Sequence, residues 1–393
     1  MRNVAEAEQD RSPAAPVPTA ARLEQDAHLG DGLAAAPGAR PARPAEILFT
    51  GATGFLGGEL AAALLRTTTA RLHCLVRGQK ERPARQRLDQ LRRRLDADPT
   101  RLLLVEGDLA DPNLATAPAL AYQIDTVVHC AAAVNLFAPY EAMRAANVLA
   151  ARAVLEFAAR GAPKSVHFAS TTGVFLSPRY RGQSIPEDAD VGGAEGLRNG
   201  YAQSKWVADQ MMARSRAHGL AVTIYRPAFI GWHAHTGRAG EHDLVALLLA
   251  SSLAAGCAPR LDLQINSTPV DHVAETVARV VSLPSAQGGT YHLANQAAVP
   301  FVDLAALAGL PLVSLEQWQS TVINQAPRYT KLAALVRRSQ DDPASGSVEL
   351  HREHDRSYDD RQLRAALGSA YRSPPPLDAA YLARFTAALG RGG

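Results

Sequence analysis

Tyr201 and Lys205 lie four residues apart in a segment, 201–213, whose residues favour an α-helix. That spacing puts both side chains on one helix face. A phenol with an ordinary pKa of about 10 transfers protons poorly at neutral pH, and a nearby ammonium favours its charged form. The pair predicts proton transfer by Tyr201, with Lys205 lowering the pKa of its phenol. The same spacing also fits a surface lysine beside a packed tyrosine.

A strand end rich in hydroxyl groups precedes this helix. The apolar run 165–170 predicts a buried strand, and Thr171 and Thr172 follow it directly. At that position the Thr171 hydroxyl can hold a substrate oxygen beside the Tyr201 phenol. The predicted chemistry is stabilisation of negative charge on that oxygen.

A glycine-rich turn at 51–57 predicts a second functional element. It follows the apolar run 46–50 and opens a segment with a helical pattern. Glycines allow a tight turn and bring the backbone close to a pyrophosphate, whose charge rests on the free N–H groups of the helix N-terminus. A glycine-rich turn that binds nothing is the alternative. The residues expected to bind a dinucleotide are Gly51, Thr53, Gly54, Phe55, Leu56 and Gly57.

Two further strand ends are expected beside this turn, because ligands gather at the carboxyl ends of parallel strands. The third predicted strand ends near Asp108 and Leu109. The fourth ends in Ala131, Ala132 and Ala133, whose small side chains let the backbone lie against a nucleotide. A solvated strand end is the alternative for Asp108.

Arg77 ends the second predicted strand and bears on the choice of dinucleotide. An acidic residue there would bind the ribose hydroxyls of NAD, whereas an arginine accommodates the 2′-phosphate of NADP. Arg87 follows in a basic helix and adds charge to the same pocket, unless it belongs to a solvated arginine face. The sequence therefore favours NADPH.

Short apolar runs alternate with helical patterns from residue 46 onward. This alternation predicts an α/β fold with a doubly wound parallel sheet of Rossmann type and a smaller mixed C-terminal substrate subdomain. We expect the NADP-binding domain over 45–230, with a strand and helix returning near 264–292, and the substrate-binding subdomain over 231–393. Residues 1–44, rich in Ala and Pro, are predicted to be a disordered tail. The strands are expected at 46–50, 71–76, 102–105, 126–130, 165–170 and 222–225.

Composition excludes several classes of protein. The 41 Lys+Arg and 38 Asp+Glu residues give a formal charge of +3, so nucleic acid is not an expected partner. Three widely spaced cysteines argue against a disulfide framework, and His233 and His235 lack a third metal ligand. The most apolar stretch, 244–255, is too short for a membrane span, and the N-terminus lacks an apolar signal core, which predicts the cytoplasm.

These motifs together resemble the extended short-chain dehydrogenases/reductases and, within them, the thioester reductase group. The likeness covers about residues 46–390. Fatty acyl-CoA reductases share the front half but usually carry a different C-terminal extension, which is not expected here. The motifs that carry the resemblance are the glycine turn, 75–77, 107–109, 140–147, 201–208, 225–227, Thr236–Gly237 with Asp243, 269–274 and 373–378.

The resemblance implies catalytic roles for Thr171, Tyr201 and Lys205, with Asn147 supporting Lys205 through a water-linked network. It favours Thr171 over its neighbour Thr172. Lys205 is also expected to hold the nicotinamide ribose.

The resemblance further adds Pro227 and Ile230 to the cofactor-binding set. The family commonly has an Asn and a Gly or Ala after the histidine of the fourth strand, where this chain has Cys130 and Ala131. A contact to the cofactor through the backbone alone is therefore expected at this strand end.

The implied activity is NADPH-dependent reduction of an acyl thioester to an aldehyde with release of the thiol, and the alcohol follows if a second hydride is transferred. The acyl group would be bound to CoA or to a carrier protein supplied in trans. Two alternatives stay open at this point: an NAD(P)-dependent sugar-nucleotide or alcohol dehydrogenase/epimerase of the same superfamily, and a dinucleotide-binding protein without catalysis.

Overall fold

A seven-stranded parallel sheet forms the centre of the fold. The computed structural model describes residues 18–30, 32–41, 43–79, 82–109, 118–135, 138–241, 243–330, 332–333, 336 and 356–389. The sheet strands are β1 Glu46–Thr50, β2 Arg71–Val76, β3 Leu102–Glu106, β4 Thr126–His129, β5 Ser165–Ala169, β6 Ala221–Pro227 and β7 Thr290–Leu293. All neighbours are parallel in the order β7-β6-β5-β4-β1-β2-β3. This confirms the predicted α/β fold with a doubly wound parallel sheet.

Helices cover both faces of this sheet, and further helices lie in the C-terminal part of the chain. Among the described residues they are α1 Ala20–Asp26, α2 Phe55–Thr67, α3 Ala84–Leu95, α4 Pro118–Gln123, α5 Tyr140–Arg144, α6 Ala150–Ala158, α7 Gly200–Ser215, α8 Leu244–Ala255, α9 Val270–Ser282, α10 Phe301–Leu307, α11 Leu315–Gln325, α12 Arg361–Leu367 and α13 Ala379–Leu389. A π-turn, Ala145–Leu149, joins α5 to α6.

The apolar strands form because both faces of the sheet are buried. In β1, Leu48 packs into the core formed with α6 and α7, whereas Ile47 and Phe49 pack into the core formed with α2 and α9. Successive side chains of a strand point to opposite faces, so a continuous apolar run serves both cores.

The segment after α8 returns to the sheet. The strand Ser267–Pro269 pairs with Phe229–Gly231, α9 packs on α2, and β7 pairs with β6. A third core lies in the C-terminal part of the chain, where Trp232 stacks on Tyr381 and Phe385 at 4.6 and 4.5 Å between ring centroids. Three further strand pairs are short: Ser184–Ile185 with Ser357–Tyr358, Ala258–Pro259 with Leu312–Val313, and Gln264–Ile265 with Val299–Pro300.

The predicted disordered tail over residues 1–44 is wrong for its second half. Helix α1 buries Leu23 in the core, and the Asp26 carboxylate accepts hydrogen bonds from the Tyr140 hydroxyl at 2.7 Å and from Arg144 Nε at 2.8 Å. These partners lie more than a hundred residues away, so local composition could not reveal them. Residues 1–17 lie outside the described residues.

The three cysteines are free thiols, with Cys74 and Cys257 buried and Cys130 partly buried. In the part of the chain that the structure describes, no helix has both the length and the apolar character needed to cross a bilayer.

Candidate active site

The glycine turn between β1 and α2 has no room for a side chain at Gly51 or Gly57. Gly51 has a φ of 80°, and a Cβ added there would lie 2.6 Å from the Ala131 amide nitrogen. A Cβ at Gly57 would overlap the Gly51 carbonyl oxygen, and the Gly54 N–H donates to that same oxygen at 2.9 Å. Phe55 and Leu56 form the first turn of α2. The cradle and the helix N-terminus fit the pyrophosphate of a dinucleotide.

Four of the predicted cofactor residues meet at the ends of β2 and β3. Arg87 donates from Nη2 to Thr53 Oγ1 at 2.7 Å and from Nη1 to the Arg77 carbonyl at 2.8 Å. Arg77 Nη1 lies 3.0 Å from Asp108 Oδ2, and its side chain is 66% exposed. Burial, together with the positive charges of Arg82 and Arg77, lowers the pKa of Arg87. The arginines therefore form a concentrated positive surface beside the glycine turn.

The end of β4 approaches the glycine turn through its backbone. The Ala131 N–H donates to Thr50 Oγ1 at 3.3 Å, and Ala132 and Ala133 continue the same segment. Burial raises the pKa of the Cys130 thiol to about 12, so this thiol stays protonated. Three predicted cofactor residues remain. Leu109 is buried after β3, Pro227 ends β6, and Ile230 lies in the short strand Phe229–Gly231.

Helix α7 carries Tyr201 and Lys205 at the carboxyl ends of β4 and β5. The Asn199 side chain caps the helix by accepting from the Ala202 N–H at 3.0 Å. Lys205 Nζ donates to the Ala169 carbonyl at 2.6 Å and lies 4.2 Å from the centroid of the Phe168 ring. Burial lowers the pKa of Lys205 to about 8, and the negative charge of Asp209 opposes that change.

The predicted lowering of the Tyr201 pKa by Lys205 is not found. Burial raises the pKa of the Tyr201 phenol to about 12, and Lys205 is not among the causes of this change. The physical reason is that Lys205 Nζ is bound to the Ala169 carbonyl, while burial disfavours the charged form of the phenol. With this pKa the Tyr201 phenol is protonated at neutral pH.

Thr171 begins the short helical turn Thr172–Phe175 that follows β5. Its Oγ1 accepts from the Gly173 N–H at 3.1 Å, and α7 packs against this turn. Thr171 is partly exposed, whereas Thr172 is 1% exposed. Of the two hydroxyls, that of Thr171 is the more accessible to a substrate.

Asn147 joins the end of β4 to α7. Its Nδ2 donates to the Ala133 carbonyl at 3.0 Å and to Ser204 Oγ at 2.9 Å, and its Oδ1 accepts from the Ala133 N–H at 2.7 Å. Its hydrogen bonds thus reach the residue before Lys205, and its support of Lys205 through water stays a prediction. The π-turn that contains Asn147 turns this side chain inward, as such turns often do at functional sites.

Sequence reasoning missed a buried polar group next to these residues. Asp209 lies on α7 and is paired with Arg226 of β6, and Ser170 donates to Asp209 Oδ2 at 2.5 Å. A spacing of four residues from Lys205 to Asp209 was the available signal, because it puts the carboxylate on the same helix face.

The loop 232–241 contacts the start of α2. Arg238 pairs with Glu59 and lies 5.1 Å from the centroid of the Phe55 ring. His233 Nδ1 accepts from the backbone N–H groups of His235 and Thr236 at 3.1 and 3.3 Å. His233 is thus engaged in local structure, and no group of three metal-ligating side chains is assembled among the described residues.

Comparison with known proteins agrees with this architecture. The model of an NAD-binding family described as male sterility protein matches residues 49–277. The crystal structure of the terminal R domain from the myxalamid PKS-NRPS biosynthetic pathway is 31% identical, covers 95% of this chain and 98% of that one, and superposes with a TM-score of 0.76. UDP-glucuronic acid 4-epimerase from Bacillus cereus, at 14% identity and a TM-score of 0.62, shares the fold alone.

One of the subunits of linear gramicidin synthase from Brevibacillus parabrevis is 32% identical over 301 residues, which is 71% of this chain and 6% of that protein. The chain spans between 6% and 30% of the length of this protein and of seven further curated relatives. The glycine turn, the helix with Tyr201 and Lys205, and the match along nearly the whole R domain lead to one assignment. The chain belongs to the thioester reductase group of the extended short-chain dehydrogenase/reductase superfamily, a family of NAD(P)-dependent oxidoreductases.

Proposed function

We propose that this protein reduces an acyl thioester to an aldehyde with NADPH and releases the thiol. The observation that carries the proposal is the common location of the two halves of the site. Helix α7, with Tyr201 and Lys205, packs on the turn that Thr171 begins, at the same sheet edge as the glycine turn. Membership of the thioester reductase group supports the choice of substrate class.

The side chains act on the carbonyl oxygen of the thioester in this proposal. A bound NADPH would supply the hydride. The Tyr201 phenol, protonated because its pKa is raised to about 12, donates to the oxygen as negative charge develops, and Thr171 Oγ1 donates a second hydrogen bond. Lys205 contributes positive charge and binds the ribose next to the nicotinamide. The aldehyde can enter a second round that gives the alcohol.

The arginine pocket supports NADPH over NADH. Arg77 and Arg87, with Arg82 close by, concentrate positive charge at the end of β2, where the 2′-phosphate would lie. Arg87 is held by Thr53 and by the Arg77 backbone, so its guanidinium is oriented before the cofactor binds. A planar guanidinium matches a phosphate with two parallel hydrogen bonds.

A carrier protein is the proposed source of the acyl group. The myxalamid R domain is named as a terminal domain of a PKS-NRPS pathway, and the gramicidin relative is named as part of a synthase. Acyl groups in such a context are attached through a thioester. An acyl-CoA is the alternative form of the same substrate class.

The test is a panel of acyl-CoA and acyl-pantetheine thioesters, with NADPH oxidation followed by its absorbance. We expect thioester-dependent oxidation by the wild-type protein and a loss of at least about a hundredfold in Tyr201→Phe, because general acid catalysis contributes about 10²–10⁴. Tyr122→Phe, an exposed tyrosine on α4, is the matched control and should keep full activity.

Detection of the aldehyde by derivatisation with a hydrazine completes this test. Oxidation of NADPH without a thioester-derived aldehyde or alcohol would contradict the proposal. So would turnover of a sugar nucleotide with no turnover of any thioester.

A further inference from the structure

Asp209 connects three elements of the active site. It is fully buried on α7, and its two carboxylate oxygens accept from Arg226 Nη2 at 2.8 Å and Nε at 3.0 Å. The oxygen that faces Nε also accepts from Ser170 Oγ at 2.5 Å. Ser170 is the residue before Thr171, and Arg226 belongs to β6. One carboxylate therefore ties α7 to the end of β5 and to the neighbouring strand.

The charge of Asp209 also bears on Lys205, one helical turn before it. Lys205 is 2% exposed, and burial disfavours its ammonium form. The titratable groups that interact with its charge are Asp209 on its own helix and His129 and Cys130 at the end of β4. His129 and Cys130 are held neutral by burial at physiological pH. The pKa of the Asp209 carboxyl is lowered by Arg226, so Asp209 supplies the negative charge in this set.

We propose that Asp209 is a positioning residue that keeps Lys205 protonated and, through Ser170, fixes the turn that begins at Thr171. The inference rests on the proposed function, because it assigns Lys205 and Thr171 their roles in that reaction. Asp209 itself lies behind both residues and need not touch the substrate.

The low lysine content of this chain allows a direct measurement on Lys205. The sequence contains only four lysines: Lys80, Lys164, Lys205 and Lys331. Protein labelled with ¹³C at the lysine ε-carbon thus gives four resonances, and Lys205→Arg identifies the one that belongs to Lys205. Titration of this resonance requires neither substrate nor turnover, so it stays informative if the proposed function fails.

We expect a wild-type midpoint near pH 8 and a lower midpoint in Asp209→Asn, because loss of the negative charge one helical turn away disfavours the ammonium form of Lys205. Asp303→Asn, which removes an exposed carboxylate on α10, is the control and should leave the midpoint unchanged. An unchanged midpoint in Asp209→Asn would overturn the charge role of Asp209.

Asp209→Asn leaves Arg226 buried without a counter-charge, and such a change can prevent folding. The double variant Asp209→Asn/Arg226→Gln removes both charges and keeps groups that can hydrogen bond. Because the negative charge of Asp209 favours the ammonium form of Lys205, the folded double variant should also have a midpoint below that of the wild type. A wild-type midpoint in the folded double variant would overturn the inference.

Ser170→Ala separates the two roles of Asp209. It removes the hydrogen bond from Ser170, the residue before Thr171, to Asp209 and leaves the charge of Asp209. The Lys205 midpoint should therefore stay near pH 8 while kcat for the thioester falls about tenfold. An unchanged kcat would overturn the role assigned to Ser170.

The pH profile of kcat gives a separate test. In Asp209→Asn, the alkaline limb of this profile should move to lower pH together with the Lys205 midpoint. Absence of thioester turnover by the wild type would count against the proposed function, whereas normal turnover with an unmoved limb counts against this inference.

Discussion

Asn147 Nδ2 donates a 2.9 Å hydrogen bond to Ser204 Oγ, and Ser204 Oγ in turn donates to the Tyr201 carbonyl at 2.7 Å. These two hydrogen bonds connect the segment after β4 to the first turns of α7, the helix that carries Tyr201 and Lys205. Asn147 and the Ala133 backbone exchange two more hydrogen bonds. The orientation of α7 thus depends on a side chain that lies outside this helix.

Replacement of Asn147 by Ala should lower both stability and kcat. The change leaves the Ala133 N–H without its acceptor, which costs about 1–3 kcal/mol, and it loosens α7. Denaturant unfolding and thioester reduction measure the two effects. Ser204→Ala, which keeps both bonds to Ala133, should cost less in stability. Equal losses in the two variants would show that the Ala133 bonds contribute little.

Replacement of Arg87 by Ala should reduce the preference for NADPH. Loss of its guanidinium removes a charge from the pocket and frees Thr53, so kcat/KM with NADPH should fall about tenfold or more while kcat/KM with NADH stays nearly constant. Steady-state kinetics with both cofactors measure this ratio. Arg85→Ala, on the exposed side of the same helix, is the control. A proportional fall with both cofactors would contradict a role in 2′-phosphate binding.

Replacement of Gly57 by Ala should abolish dinucleotide binding. The new Cβ overlaps the Gly51 carbonyl oxygen, so the turn must open. Fluorescence titration with NADPH measures binding, and thermal unfolding measures stability. Gly32→Ala has no heavy atom within 4 Å of its Cβ and should bind normally. Tight binding by Gly57→Ala would refute the cradle as the pyrophosphate site.

The docking of α1 should weaken in acid. Hydrogen bonding to Arg144 lowers the pKa of Asp26 from 3.8 to about 2. A lowered folded pKa means that the stabilisation is present above pH 4 and is lost as the pH falls toward 2. Its size is about 2 kcal/mol.

Asp26→Asn should therefore destabilise the protein at neutral pH and expose the segment after residue 18 to limited proteolysis. Urea unfolding at pH 7 and at pH 3 measures the difference between the variant and the wild type. A difference that is equally large at both pH values would contradict the ion pair as its cause.

The fold was largely predictable because its strands are buried on both faces. The run Glu46–Thr50 was assigned with its observed limits, and Gly51 to Gly57 followed at the expected turn. The contacts that could not be predicted join distant positions. Asp26 on α1 pairs with Tyr140 and Arg144, and Asp209 on α7 pairs with Arg226 on β6. Only three-dimensional packing brings such pairs together, since no local period relates them.

The spacing of Tyr201 and Lys205 predicted that they share a helix face, but it did not predict the pKa of either side chain correctly. Spacing gave a shared helix face and suggested that the ammonium acts on the phenol. The structure instead gives the ammonium a backbone partner, the Ala169 carbonyl, and buries the phenol. Burial and hydrogen-bond partners decide a pKa, and neither can be obtained from a four-residue interval.

The π-turn Ala145–Leu149 determines how far α6 is rotated about its axis relative to α5. One residue rotates a helix by about 100°, so the extra residue in this turn offsets the two segments that flank it. It lets Asn147 face Ala133 while Val154 and Leu155 face the core. A relative shorter by a single residue here would form one regular helix and misdirect one of these two faces. A length change of one residue in this segment should therefore disrupt either the hydrogen bonds of Asn147 or the core packing of α6.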